Sequence, residues 1–539
     1  MTVPDIAPDP MTPLANDFPV ETERRLSESL LWQLQRRYFE TQGVAAWSSG
    51  AVPSHVTTNP AFAWRCAALA LGLLRDQIAA GAVFDQALPF TIIELGAGSG
   101  RFACHFITAF RSLLALSPFA GLPFRYVATD FAPTNLAFWR SHDALAVLIA
   151  EGVLDVARFD AETDTSLLLE GAGAVLGPDS LPWPPLVIAN YVFDGISQDA
   201  FIASDGVLAE CRVTLRTRRA DLDLDDPAAI ASILCSYSSR ALDGPPYAEP
   251  LFDGILCDYA GSLSDTTFLF PVGTLRCLGR LAALAGGALV LLTADRGEQL
   301  QEDLQGRDDL ALAVHGSFSL PVNYHAVAEY FVRQGGAVLT TAYRHAHIAV
   351  SAFLLGGNYA ETRLAFDQAM EHFGADDFST LAYGLRPLSE QLDLQQLLAF
   401  LRLSGWDPQM LADCVPALWQ RIDTADAALR QELVAVIGRA WENYFHLGEQ
   451  RDVPFLLGCL LYGLNEHGRA LELFDASRRL YGDSATTCWN MGLCLIGLGD
   501  TAAAADRFAE ARGLDPSFAP VTALQLKREA ADDASGRKP

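Results

Sequence analysis

The stretch Thr91-Ile-Ile-Glu-Leu-Gly-Ala-Gly-Ser-Gly-Arg-Phe102 constrains the fold more than any other part of the chain. The apolar run 90–93 predicts a buried strand ending at Glu94. Gly96, Gly98 and Gly100 follow, and residues 102–110 carry apolar side chains at helical spacing. Strand, glycine turn and helix start bring bare backbone and unpaired N–H groups to one point, where a nucleotide-like ligand can lie. The dinucleotide fingerprint G-x-G-x-x-G would need glycine at position 101, which is Arg101. What stands here is an acid followed by G-x-G-x-G. The alternative is an ordinary tight βα turn in some other α/β domain.

At 539 residues the chain exceeds one ordinary domain, and two or three are expected. Half of the residues are hydrophobic, enough for a large core. The net charge of −27 argues against a general nucleic-acid binder, which needs a basic face, and fits either solubility or a cationic substrate. Ten cysteines occur without a C-x-x-C pair. Cys104, Cys235 and Cys459 sit in apolar runs, as reduced core residues of a cytosolic protein do, and no zinc site is expected. Residues 1–17 are proline-rich and acidic with no signal pattern, and no apolar run reaches the roughly 20 residues that span a bilayer. The expectation is a cytoplasmic protein without membrane or nucleic-acid partners.

Residues 1–22 read as a disordered lead-in. Leu30, Leu31, Leu34 and Tyr38 place a helix over 27–40, ended by Gln42-Gly43-Val44. Residues 52–60 read as loop or irregular strand, and 61–80 as a second helix. This segment is expected either to cap the cleft or to form a helical layer on the sheet. Strands and helices then alternate, as a parallel sheet requires. The second strand, 124–129, ends at Asp130, a carboxylate able to accept two hydroxyl hydrogens. The third, 153–159, is followed by Asp160. The fourth, 186–189, is followed by Asn190, Tyr191 and Asp194 at the carboxyl edge, where α/β ligands bind. A strand pair flanks Ser204-Asp-Gly206, and 222–265 reads as an irregular, turn-rich insertion. A helix over 272–285, a strand over 288–294, a helix over 322–334 and a hairpin of 337–343 with 347–355 close the sheet. His345 and His347, without a third ligand, read as surface residues. Ser99 has no placed base and is no nucleophile.

From residue 358 the pattern is helix after helix. At a shift of 34 residues Leu457, Gly458, Ala470 and Phe474 superpose on Met491, Gly492, Ala504 and Phe508, with Pro516 against Gly482. Small residues at a helix crossing with an aromatic behind them are what close αα-hairpin packing needs. This resembles the tetratricopeptide repeat (TPR), in two copies over 451–518, with the helices of 388–449 extending the stack and 518–528 as capping helix. A helical dimerisation domain is the alternative.

The acid and G-x-G-x-G resemble motif I of the class I S-adenosylmethionine (SAM) methyltransferases. Glu94-Leu-Gly-Ala-Gly-Ser-Gly100, Ala128-Thr-Asp-Phe-Ala-Pro133, Ala189-Asn-Tyr-Val-Phe-Asp194 and Pro321-Val-Asn-Tyr-His-Ala-Val-Ala-Glu329 resemble MidA-type methyltransferases over residues 30–345. That family is linked to assembly of respiratory complex I and includes protein-arginine methylation. The resemblance implies an α/β Rossmann-like domain at 23–357, a mostly parallel seven-stranded sheet with a late antiparallel hairpin. An all-α TPR-like domain follows at 451–530 after a helical extension at 358–450, with a tail at 531–539. It implies SAM held by Glu94, Gly96, Ala97, Gly98, Gly100 and Asp130, with Asp160 near the adenine. Asn190 would touch the cofactor and, with Tyr191 and Asp194, face the acceptor. The family motif A-N-E-x-x-D has glutamate where this chain has Tyr191; a phenol cannot offer a guanidinium the paired hydrogen bonds of a carboxylate. Asp194 would serve as acceptor or base, or else cap the loop. Three functions follow: methylation of a protein or peptide recruited by the TPR-like helices, methylation of a small metabolite with those helices serving homo-oligomerisation, or a SAM-binding scaffold without turnover.

Overall fold

The computed structural model describes residues 17–518 apart from positions 309, 311 and 316. They form two compact units, one of residues 17–57 and 66–376, the other of residues 58–65 and 377–518.

A seven-stranded sheet organises the first unit. In chain order its strands are β1 (Phe90–Leu95), β2 (Phe124–Asp130), β3 (Leu154–Arg158), β4 (Leu186–Asn190), β5 (Leu289–Asp295), β6 (Ala337–Thr340) and β7 (Ala349–Leu355). The spatial order is β6-β7-β5-β4-β1-β2-β3. Neighbours from β5 to β3 run parallel, while β7 lies antiparallel to both β5 and β6. Parallel strands covered on both faces must be apolar along their length. β1, β5 and β7 are accordingly buried at every position. Each fully buried Leu, Ile or Phe there contributes about 1.5–3 kcal/mol.

Three helices position the cleft described below. Helix α1 (Leu30–Gln42) starts at Ser29, whose hydroxyl accepts from Leu31 N–H, and ends at Gly43 with φ 49°. Helix α2 (Arg101–Ala115) buries the ladder Phe102, Phe106 and Phe110, with ring centroids 5.9 and 5.8 Å apart. Helix α3 (Pro133–Ser141) begins on a proline, whose fixed φ suits a first turn.

Several expectations are corrected. Residues 18–22 belong to a strand, Phe18–Arg25, which pairs antiparallel with Val207–Thr217. Its side chains are mostly exposed and the backbone ladder holds it, so no apolar alternation betrays it. The 1–16 part of the expected lead-in lies outside the described residues. A short helix, His55–Thr58, replaces the expected loop there. The supposed irregular insertion at 222–265 contains the strand Ile233–Ala241 and the helix Pro250–Ser262. That strand and Asp199–Ser204, Val207–Thr217, Thr266–Phe270 and Phe18–Arg25 make a second, five-stranded sheet. His345 and His347 lie before β7 rather than on it; the His345 ring is 3.1 Å from the Thr341 hydroxyl.

The second unit is helical. Its last four helices, Val453–Gly463, His467–Tyr481, Ala485–Gly497 and Thr501–Leu514, form successive hairpins. A Cβ on Gly458 would lie 2.8 Å from the Phe474 ring, and one on Gly492 closer still to Phe508, so the same crossing recurs at the 34-residue shift. Residues 519–528 of the expected capping helix lie outside the described residues. Among the described residues no helix is long and apolar enough to cross a membrane.

Candidate functional site

From β1 the chain passes outward to β2 and β3, then returns to the other side of β1 as β4. The order of connection reverses between β1 and β4, and loops diverging from their carboxyl ends leave a crevice. Leu95 and Gly96 at the end of β1, Asp130 and Phe131 at the end of β2, and Tyr191 and Val192 after β4 line it. Phe159, Asp160 and Glu162, after β3, continue one wall.

The glycine turn shapes the floor. Gly96 and Gly98 have φ of 57° and 52°, left-handed values that cost other residues about 1–2 kcal/mol. The space a side chain would take at Gly96 faces Val192, at 3.0 Å, and at Gly98 it faces the Trp47 ring, at 2.8 Å. Gly100 starts α2 and packs against Leu145 and Trp139. Gly96 therefore lines the cleft, whereas Ala97, Gly98 and Gly100 do not; they hold the turn under Trp47 and against α3.

Glu94 does not reach the cleft either. It is 3% exposed and accepts a 2.9 Å bond from the Tyr126 hydroxyl. Burial pushes its carboxyl up to about 8, against the Tyr126 bond and aided by the charge of Asp130. At neutral pH it carries its proton.

Asp130 accepts from Gly98 N–H (3.1 Å), Ala132 N–H (2.9 Å) and the Asn135 amide (2.9 Å). Burial raises its pKa, and these donors oppose the rise. A carboxylate offers about four acceptor sites. The Phe131 N–H also bears on it, so ligand hydroxyls would share its oxygens with these donors.

Asp160 faces Arg36 of α1, with guanidinium contacts of 3.2 and 2.7 Å, and accepts from Glu162 N–H at 3.0 Å. Burial alone would raise its pKa, but Arg36 and the backbone donor outweigh it and hold the carboxyl low. Arg36 also stacks over the Phe131 ring at 4.5 Å.

The carboxyl end of β4 divides its residues. Tyr191 lines the cleft with φ 51°, a strained value for an aromatic residue and one that clusters at functional sites. Both polar atoms of the Asn190 amide are buried without a hydrogen-bond partner. Asp194 departs from expectation: it turns out of the cleft and is buried beside Asp295 and Arg296, whose guanidinium lies 3.8 Å away. Its backbone N–H donates to Asp295 at 3.1 Å. Burial raises both carboxyls, Asp194 to about 6 and Asp295 well above the usual range, with their mutual repulsion adding to the rise of Asp295. The Arg296 guanidinium opposes the rise of both. Asp194 is absent from the cleft lining, as its expected alternative of orienting the loop would have it.

The sequence offered a cap over the cleft as one of two alternatives, without the residues that make it. Trp32, Gln35, Arg36 and Phe39 of α1 line the cleft, and Trp47 closes it over Gly98. Those α1 positions are spaced i, i+3, i+4, i+7 and so form one helical face. The Gln35 amide donates to the Phe318 carbonyl at 2.8 Å, and Phe39 stacks on Trp47 at 5.9 Å. Of the alternatives for this segment, the cap is the one the geometry shows. Under the cap the cleft is about 120 Å³. Small-molecule pockets run from roughly 300 Å³ upward, so the covered space is smaller than a cofactor-sized ligand.

No family model matches the chain, and no curated protein matches it. Among solved structures, one similar to this chain is an uncharacterized ACR superfamily protein from Burkholderia thailandensis. It is 15% identical with a TM-score of 0.39, over 71% of this chain and 81% of that one. Another is a member of the same superfamily from that organism, an inferred methyl transferase bound to S-adenosyl-homocysteine. It is 14% identical with a TM-score of 0.41, over 64% of this chain and 90% of that one.

Proposed function

We propose that the cleft binds SAM and that the chain transfers its methyl group to an acceptor, as the MidA-type resemblance of the sequence implies. The observation that carries this reading is the convergence of the Gly96 backbone, the Asp130 carboxylate and the aromatic walls Phe131 and Phe159 at the reversal of strand order. The residues fit the group. Asp130 lines the cleft with a carboxylate whose oxygens a ribose hydroxyl can share with the backbone donors, Phe131 and Phe159 offer apolar surface to a purine, and the unpartnered Asn190 amide lies one residue from Tyr191. When bound, SAM supplies a methyl group activated by its sulfonium.

What the protein contributes is position and exclusion of water. Gly96 lets the ligand approach the backbone, Trp32, Phe39 and Trp47 cover it, and Tyr191 and Gln35 are polar side chains that line the space where an acceptor would enter. Asp160 and Glu162 both lie against Arg36, and Asp194 is turned away, so the lining carboxylates are already engaged. That favours an acceptor whose nucleophile is neutral at ambient pH over a guanidinium needing a paired carboxylate. In this reading the acceptor is a protein or peptide side chain, recruited by the TPR-like helices.

The displacement of Asp194 favours a second reading, a SAM-binding protein without turnover. The test is formation of S-adenosyl-homocysteine from SAM in the presence of a peptide library or of small amines, phenols and thiols. Product that follows the peptides supports the first reading; SAM bound with no product under any acceptor supports the second.

A further inference from the structure

A second cavity, of about 570 Å³, lies away from the cleft, between the helix Pro250–Ser262 and the helix Val272–Ala283. Its floor is apolar, made by Leu251, Phe252, Leu275 and Ala283. Its volume falls within the roughly 300–1,000 Å³ of ordinary small-molecule sites. Two guanidiniums, Arg276 and Arg280, four residues apart on one helix face, stand over that floor with a single carboxylate, Glu249.

The two arginines differ. Arg276 is committed to Glu249, with bonds of 3.1 and 2.7 Å to one oxygen. Arg280 donates one N–H to the Ala161 carbonyl, while its Nε is buried and lacks a partner. Two positive charges against one negative leave one in excess at this cavity, in a chain whose net charge is −27. Arg280 has no ion pair among those of the described residues, and a guanidinium of that kind beside an apolar floor is the donor a carboxylate or a similar anion pairs with.

We propose that this cavity binds an amphipathic carboxylate, an acid with a short alkyl or aryl tail. The tail lies on Leu251, Phe252 and Ala283, and the carboxylate pairs with Arg280. Nothing in this inference depends on methyl transfer, and it can fail while the SAM reading stands.

The test is titration of the full chain with octanoate, and separately with octan-1-ol and octylamine, which keep the tail and change the head. The expected result is saturable octanoate binding at least ~10-fold tighter than either control, the discrimination of a charge-assisted pair. Arg280→Met should remove that preference. Because it also breaks the Ala161 bond, Ala283→Phe serves as a second variant: it fills the floor, leaves both arginines, and should weaken octanoate binding with folding intact. Octanoate binding no tighter than octan-1-ol, no saturable binding of octanoate, or octanoate affinity unchanged in both variants would overturn the proposal.

Discussion

Glu94 is a proton-binding group built into the core strand of the sheet, and replacing it with glutamine makes a quantitative prediction. Its carboxyl is raised from 4.5 to about 8, first by burial and then by the charge of Asp130, against the Tyr126 bond. A carboxyl raised in the folded state contributes stability that is full below its unfolded pKa and is lost as pH rises through its folded pKa. Between pH 6 and pH 8 the folded chain holds about one proton more than the unfolded chain, and each pH unit removes about 1.4 kcal/mol. About 3 kcal/mol is therefore lost by pH 9 through this residue alone. Glu94→Gln keeps an acceptor for the Tyr126 hydroxyl and has no proton to lose. The assay is urea unfolding of wild type and variant at pH 6 and pH 9. Asp194, Asp295 and Glu298, also raised by burial, are present in both proteins and cancel in the difference. The stability of the variant relative to wild type should therefore rise by about 3 kcal/mol from pH 6 to pH 9. Parallel pH profiles would refute the reasoning.

Two further perturbations address the turn and its roof. Gly98→Ala introduces a Cβ at φ 52° and 2.8 Å from the Trp47 ring. It should cost about 2 kcal/mol and change the tryptophan emission, and unchanged unfolding would remove the close-packing argument. Arg36→Gln releases α1 from Asp160 and Phe131, partners that leave Arg36 about 29% exposed. It should cost about 1 kcal/mol of stability while accelerating association of S-adenosyl-homocysteine, as should added salt on wild type; an unchanged association rate would show that the roof does not gate the cleft.

The core of the first unit was legible because its strands are nearly unbroken apolar runs between turn signals. β1 and β5 could be placed within a residue or two for that reason. The second sheet was largely hidden. Ile233–Ala241 carries three serines and an arginine, and Phe18–Arg25 faces solvent, so hydrogen-bonded ladders rather than side-chain alternation define them. The strand-end residues Asp130 and Asp160 were found because strand ends can be read from periodicity. The direction of Asp194 could not, because it is set in a short 3₁₀ turn by Asp295, supplied by β5 from far along the chain. The cap was legible as an alternative but its residues were not: the leucine stripe of α1 faces the core, and the adjoining face of Trp32, Gln35, Arg36 and Phe39 mixes aromatic and polar side chains without apolar periodicity. Trp47 carries no local signal at all, since its significance lies in the bare backbone of Gly98.

The proposed SAM site lies at the ends of β1, β2 and β4, with Asp130 at its centre. Calorimetric titration of the full chain with SAM and with S-adenosyl-homocysteine, repeated on Asp130→Ala, tests it directly. Saturable binding of both ligands, weakened at least ~10-fold in the variant, is the predicted result, since a buried charged acceptor is lost. No binding of either ligand, or equal binding by wild type and Asp130→Ala, would contradict it.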